Sequence, residues 1–184
     1  MQKLINFLLF QLGWFACVLG GAYQMPLAGS LVALVIIAIY LTMVDTSLSE
    51  IKLLFVALMI GLVFESALVS GGLAIYSSGQ LIDNMAPVWM ILMWPLFATT
   101  INQSMGWLKN LHISAVILAG AISAPLAYFA GYRFGAVEFP DLTTSLVTIS
   151  VAWALLLPIL LSAAKSFRKP LVDDAVIAGG RADV

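Results

Sequence analysis

Apolar runs about as long as a bilayer is thick recur along this chain, separated by short polar junctions, and that spacing restricts it to one kind of fold. Six such runs can be read, each of ~18–23 residues. They cover residues 4–23, 27–44, 51–69, 86–105, 113–135 and 142–164. Only 9% of the residues are charged while 62% are hydrophobic, so no soluble surface could be assembled to cover these runs. The expectation is an all-α integral membrane protein, a bundle of six transmembrane helices forming one domain over residues 1–168. Residues 169–184, with Asp173, Asp174, Gly179 and Gly180, read as a disordered tail.

Breakers support the divisions. Pro26 suits the first turn of the second helix, and Asp45–Thr46–Ser47 reads as a turn leading into the third. Gly71–Gly72 and Pro87 bracket the longest loop, and Gly135 and Pro140 separate helices five and six. The loop over residues 70–85 holds Tyr76, Ser77, Ser78 and Asp83; it reads as a connection, with an interfacial or re-entrant path as the alternative. The first run follows Lys3 as a signal peptide would. It continues to Ala22, however, and carries Asn6, Gln11 and Trp14, so it is expected to stay as a helix.

Basic residues give the orientation. With six spans and the N-terminus inside, one side holds Lys3, Lys52, Lys109, Lys165, Arg168, Lys169 and Arg181, and the other only Arg133. The basic side is expected to be cytoplasmic, and with it both termini. Scattered over so many junctions, these cations form no basic surface for nucleic acid. A lone Cys17 allows no intrachain disulfide, and with His112 as the single histidine there is no His/Cys metal spacing. No cofactor or metal is expected. Three helices plus three of opposite orientation would suit an inverted repeat, but no motif recurs between the halves.

Inside a bilayer the polar residues are the informative ones. Glu65 lies roughly 20 Å along the third helix from Lys52, with Gly61 one turn below and Gly72 two turns above. It reads either as a functional carboxylate (proton carrier, counter-ion or acid/base) or as a structural group paired with Arg133. Tyr128 and Tyr132 could also bond to it. On the fourth run Pro95, Thr99, Asn102 and Gly106 follow one helical stripe, Gln103 is one turn from Thr99, and Trp94 and Trp107 flank the group. One reading is a polar headgroup-side pocket of Thr99, Asn102 and Gln103. The other is that these groups satisfy a backbone kinked at Pro95. Small-residue stripes on the first helix (Asn6, Gly13, Cys17, Gly21, Gln24) and the fifth (Gly120, Ala124, Tyr128, Gly131, Gly135) read as close-packing faces. The tryptophans read as boundary residues.

No G-x-S-x-G, H-E-x-x-H or glycine-rich phosphate signature is present, so catalytic residues are not assigned and the chain is read as leaning away from an enzyme. Three stretches resemble one bacterial family of small multi-spanning inner-membrane proteins, a domain of unknown function: Phe10-Gln11-Leu12-Gly13-Trp14-Phe15-Ala16-Cys17-Val18, Phe97-Ala98-Thr99-Thr100-Ile101-Asn102-Gln103-Ser104 and Ala124-Pro125-Leu126-Ala127-Tyr128-Phe129-Ala130-Gly131. The resemblance implies a multi-pass protein of the bacterial inner membrane, in a setting of fatty-acid-modifying and envelope-stress genes. It also implies that Glu65 stands where the family often has Asp, and Gln103 where it often has His.

The function expected is therefore a lipid-binding accessory of a fatty-acid or membrane-lipid modification pathway. Its partners would be membrane lipids, with another membrane protein or a second copy as further partners. A small-molecule transporter or substrate-binding membrane subunit is the alternative, and a ligand-free scaffold the third reading.

Overall fold

The computed structural model describes residues 1–44 and 47–167. The Asp45–Thr46 part of the expected turn and everything from Arg168 onward, including the expected disordered tail, lie outside the described residues. Six α-helices follow in order: α1 (Gln2–Ala22), α2 (Pro26–Met43), α3 (Ser47–Ser70), α4 (Val88–Ile101), α5 (Ile113–Arg133) and α6 (Leu142–Ser166). All but α4 are long and apolar enough to cross a membrane, which makes this a multi-pass membrane protein. Their outward faces are apolar, as on α5 at Leu118, Ile122 and Leu126 and on α6 at Val147, Val151 and Leu155. Water is a poor solvent for such faces and lipid a good one.

The fourth helix departs from the expected span of 86–105. It has 14 residues, about 21 Å of rise, against about 30 Å of hydrocarbon. It begins at Pro87, an extended N-cap, and stops at Ile101. At the stop, Asn102 and Ser104 turn their side chains to Glu50 of α3 and Asn6 of α1, and the Thr100 carbonyl turns to accept from the Met105 amide at 2.8 Å. A 3₁₀ turn over Gly106–Asn110 completes the descent.

Being short, α4 sits inside the bundle. It packs on α1, α2 and α3, while α1 pairs with α2 and α5 pairs with α6. Glycines set how closely these pairs approach. A Cβ on Gly120 would lie 2.2 Å from the Trp153 carbonyl of α6, and one on Gly29 would lie 2.5 Å from the Ala16 carbonyl of α1. The expected small-residue faces are thus packed, with two exceptions, Gln24 (φ +60°) and Gly135 (φ +79°), which lie beyond their helices. Gly72 (φ +68°), expected two turns above Glu65, likewise lies beyond α3 in a left-handed turn. Gly72 belongs to a helix-ending motif in which the Leu73 amide returns to the Leu68 carbonyl at 2.8 Å.

The long loop folds over one end of the bundle. Ile75–Tyr76 (β1) pairs antiparallel with Val137–Glu138 (β2), the strand after α5. Ser77 donates to the Gly135 carbonyl (2.5 Å), Ser78 to Gly21 (2.8 Å) and Ser145 to Leu73 (2.7 Å). Trp89 donates to the Ser78 carbonyl at 2.9 Å and Gln24 to that of Ser77 at 2.9 Å. Backbone that would be costly to leave unpaired at a membrane edge is satisfied in this way.

Two outcomes test this packing. Gly120→Ala should separate α5 from α6 and cost about 1–3 kcal/mol of stability, read as a lower midpoint of thermal unfolding in mild detergent. Asp141 caps α6, accepting from the Thr143 and Thr144 amides and the Thr144 hydroxyl. The Thr144 hydroxyl and these amides hold the Asp141 carboxyl below its ordinary value. A depressed carboxyl stabilises fully above the ordinary aspartate range and loses its contribution as pH falls through the folded value. Amide protection at Thr143 and Thr144 should therefore be level at neutral pH and decline only in acid. In Asp141→Ala the protection should be low, and the acid decline absent.

Candidate functional site

The centre of the molecule is Glu65, fully buried on α3. Three aromatic donors converge on its carboxylate. Tyr76 of β1 donates its hydroxyl to Oε2 at 2.6 Å, Trp94 of α4 donates its indole N–H to Oε1 at 2.8 Å, and Tyr128 of α5 donates its hydroxyl to the same Oε1. Each donor is apolar over most of its body and polar at one tip, so a carboxylate can be satisfied in an apolar region without a counter-ion. Gly61 makes one of these bonds feasible. The Trp94 ring lies flat on that glycine, where a Cβ would come within 2.3 Å of Cγ, and its N–H then reaches Glu65 one turn further along α3.

Arg133, expected as the partner of Glu65, is exposed at the end of α5 and gives it no hydrogen bond. Tyr132 is likewise exposed and takes no part. Trp89 and Trp94, expected at membrane boundaries, are buried, and their indole N–H groups are bonded to protein acceptors.

Thr99, Asn102 and Gln103 do come together near the other end of the bundle, but protein groups occupy two of them. The Thr99 hydroxyl donates to Leu96 at 2.7 Å, and its carbonyl, left open by the end of α4, accepts from Asn6 Nδ2 at 3.2 Å. Asn6 Oδ1 in turn accepts from the Ser104 hydroxyl at 2.7 Å. Asn102 donates to Glu50 Oε1 at 2.8 Å and accepts from Lys109 Nζ. Tyr40 donates to Glu50 Oε2 at 2.6 Å. Gln103 lines, with Gln2, Asn6 and Tyr40, a crevice of about 20 Å³, room for about one water. These bonds satisfy the end of a shortened helix; none goes to the Ile91 carbonyl that a kink at Pro95, the alternative expected, would free.

Sequence reasoning missed Glu50 and Tyr40. Glu50 occupies the first turn of α3, where an acidic residue suits the helix dipole and draws no notice. It also missed the largest cavity described. Between α1 and α5, which do not pack along their lengths, a cleft of about 280 Å³ opens sideways, toward where lipid would lie. Its floor is Met90, Met93, Trp94 and Phe97 of α4. Phe10 and Trp14 form one wall, Ala127 and Tyr128 the other, and Trp153 closes the back. Trp94 and Trp153 stack with centroids 4.9 Å apart. Phe134, at the end of α5, packs edge-on to Trp14 (6.4 Å) and Phe15 (6.2 Å) of α1. No charged side chain lines the cleft. Two of the three donors to Glu65, Trp94 and Tyr128, form part of its lining, so the buried carboxylate fixes the shape of the cavity without entering it.

The model of the family described as "Protein of unknown function (DUF2878)" matches residues 3–159. This chain belongs to that family. No curated protein and no solved structure gives a significant match.

Gly61→Ala should drive Trp94 off α3, lower stability by about 1–3 kcal/mol and shift tryptophan emission. Tyr128→Phe should cost about 1–3 kcal/mol through one lost hydrogen bond to a buried acceptor, measured by thermal unfolding in the same detergent.

Proposed function

We propose that this DUF2878 protein binds a lipid-like molecule in the cleft between α1 and α5, as an accessory of a membrane-lipid modification pathway. The observation that carries the reading is the cleft itself: about 280 Å³, open sideways, lined by aromatic and methionine side chains and free of charge. Pockets of about this size and composition hold small apolar ligands, and methionine adapts its shape to them. A ligand would enter from the hydrocarbon phase without crossing water. In this reading the bundle sits in a bacterial inner membrane with its basic end, near Lys3, Lys52 and Lys109, at the cytoplasmic face.

A second reading, a small-molecule carrier, is favoured by α4. A short central helix with non-helical backbone at both ends is the kind of element found around substrate sites within membranes. That reading also places the ligand against α4.

Ala127 is exposed on the cleft wall, and Ala127→Phe fills the space without disturbing the Glu65 cluster. Native mass spectrometry of the protein released gently from its membrane should find a retained small apolar mass in the parent and none in Ala127→Phe, with thermal stability kept. Equal retention in both, or a bare parent protein, would overturn lipid binding at the cleft. Uptake of a labelled solute into vesicles holding the protein alone would favour the carrier.

A further inference from the structure

We infer that the molecule held in this cleft is a flat, uncharged ring bearing carbonyl oxygen on an apolar tail, the chemistry of a membrane quinone. The inference rests on the reading that the cleft binds a lipid-like molecule, and it narrows that reading to one class.

The walls supply the first argument. Trp14, Trp94, Trp153, Phe10, Phe97 and Tyr128 line a space of about 280 Å³. Their ring faces and edges are matched better by another conjugated ring than by a methylene chain, because aromatic pairs gain about 0.5–1.5 kcal/mol beyond the area they bury.

Charge supplies the second. With no Lys, Arg or His on the lining, a phosphate or carboxylate headgroup would be buried without a partner, at a cost that excludes it.

A free donor supplies the third. Among the described residues, the Trp153 indole nitrogen is buried and has no partner in hydrogen-bond geometry. The Tyr128 hydroxyl oxygen beside it, its own proton given to Glu65, could accept this N–H but stands outside hydrogen-bond geometry. Ser123, also on the lining, makes no hydrogen bond among the described residues. An N–H left without an acceptor away from water is costly. A ligand carbonyl would satisfy it once the Trp153 ring turned its N–H toward the cleft, and a saturated chain would not. Trp153 thus supplies the ligand's polar anchor, and Ser123 a second.

Three of the chain's tryptophans line the cleft, so their emission reports on it. The full chain in mild detergent is titrated with a benzoquinone carrying a decyl tail and, separately, with a brominated saturated fatty acid. The inference expects saturable quenching by the quinone, with affinity weakened roughly three- to tenfold in Trp153→Phe, which keeps a ring and removes the N–H. Ser123→Ala, at an exposed position, should weaken it by a smaller factor and serves if Trp153→Phe does not fold. Ala127→Phe should leave only the linear quenching expected from quinone dissolved in the micelle. If the fatty acid saturates and the quinone does not, the ring assignment falls and lipid binding stands. If neither saturates, both fall. Unchanged quinone affinity in Trp153→Phe and Ser123→Ala would also overturn the assignment.

Discussion

A carboxylate on an apolar helix must find its hydrogen-bond donors within the protein, because lipid offers none. Glu65 takes three, and they come from three different parts of the chain: a strand in the loop after α3, the central helix α4, and α5. Much else follows from that convergence. Tyr76 holds the loop down over the end of the bundle. Trp94 holds α4 against Gly61 of α3. Tyr128 ties in α5, whose helical packing is otherwise chiefly on α6. Because all three donors are aromatic, satisfying the carboxylate also brings large ring surfaces together, and two of those rings line the open cleft.

The same solvent rule explains the far end of the bundle. A helix too short to reach both membrane faces leaves its terminal carbonyls at a depth where they cannot count on water. The end of α4 meets Asn6 from α1 and a chain of Tyr40, Glu50, Asn102 and Lys109 drawn from α2, α3 and the segment after α4. The other end meets the folded loop and the β1–β2 pair. The two buried carboxylates, Glu50 and Glu65, stand near opposite ends of α3, each bonded to at least one tyrosine. Leu53, Ala57 and Gly61 lie between them on the buried side of the helix, so the two polar clusters are separated by dry packing.

Much of this frame was legible from the residues, for a local reason. Run length, junction residues and glycine spacing are read within a few turns of helix, and they carry the number of helices and the close faces of α1 and α5. The weight placed on Glu65 was legible too, since burying a carboxylate in an apolar helix demands an explanation. Of its partners only Tyr128 was named from the sequence, together with Tyr132, which takes no part; Tyr76 and Trp94 were not. Tyr76, Trp94 and Tyr128 are 11, 29 and 63 residues away in sequence, and a charged Arg133 looked the more natural mate. Thr99 and Asn102 looked available for a ligand because Asn6 and Glu50, which engage them, lie 93 and 52 residues away. The cleft was hidden most completely. Phe10, Trp14, Met93 and Phe97 are apolar side chains of α1 and α4 with no polar signal to single them out, and only the separation of α1 from α5 turns them into a lining.

Glu65 itself is poorly placed to touch a ligand. A carboxylate has about four acceptor positions, three are taken, and the residue is fully buried behind Trp94 and Tyr128. Its influence on the cleft passes through those two rings. Trp94 is held by Gly61 below, Glu65 at its N–H and Trp153 stacked on its face, which leaves little freedom to adjust to an occupant. Tyr128 has the Glu65 bond at its tip and the cleft beside it. An occupant that displaced Tyr128 would break a buried hydrogen bond, whereas one that fitted between Tyr128 and α1 would keep it. The carboxylate therefore selects for shape at a distance: it makes the cleft rigid on the α4–α5 side and leaves the adaptable methionines, Met90 and Met93, as the floor that can move.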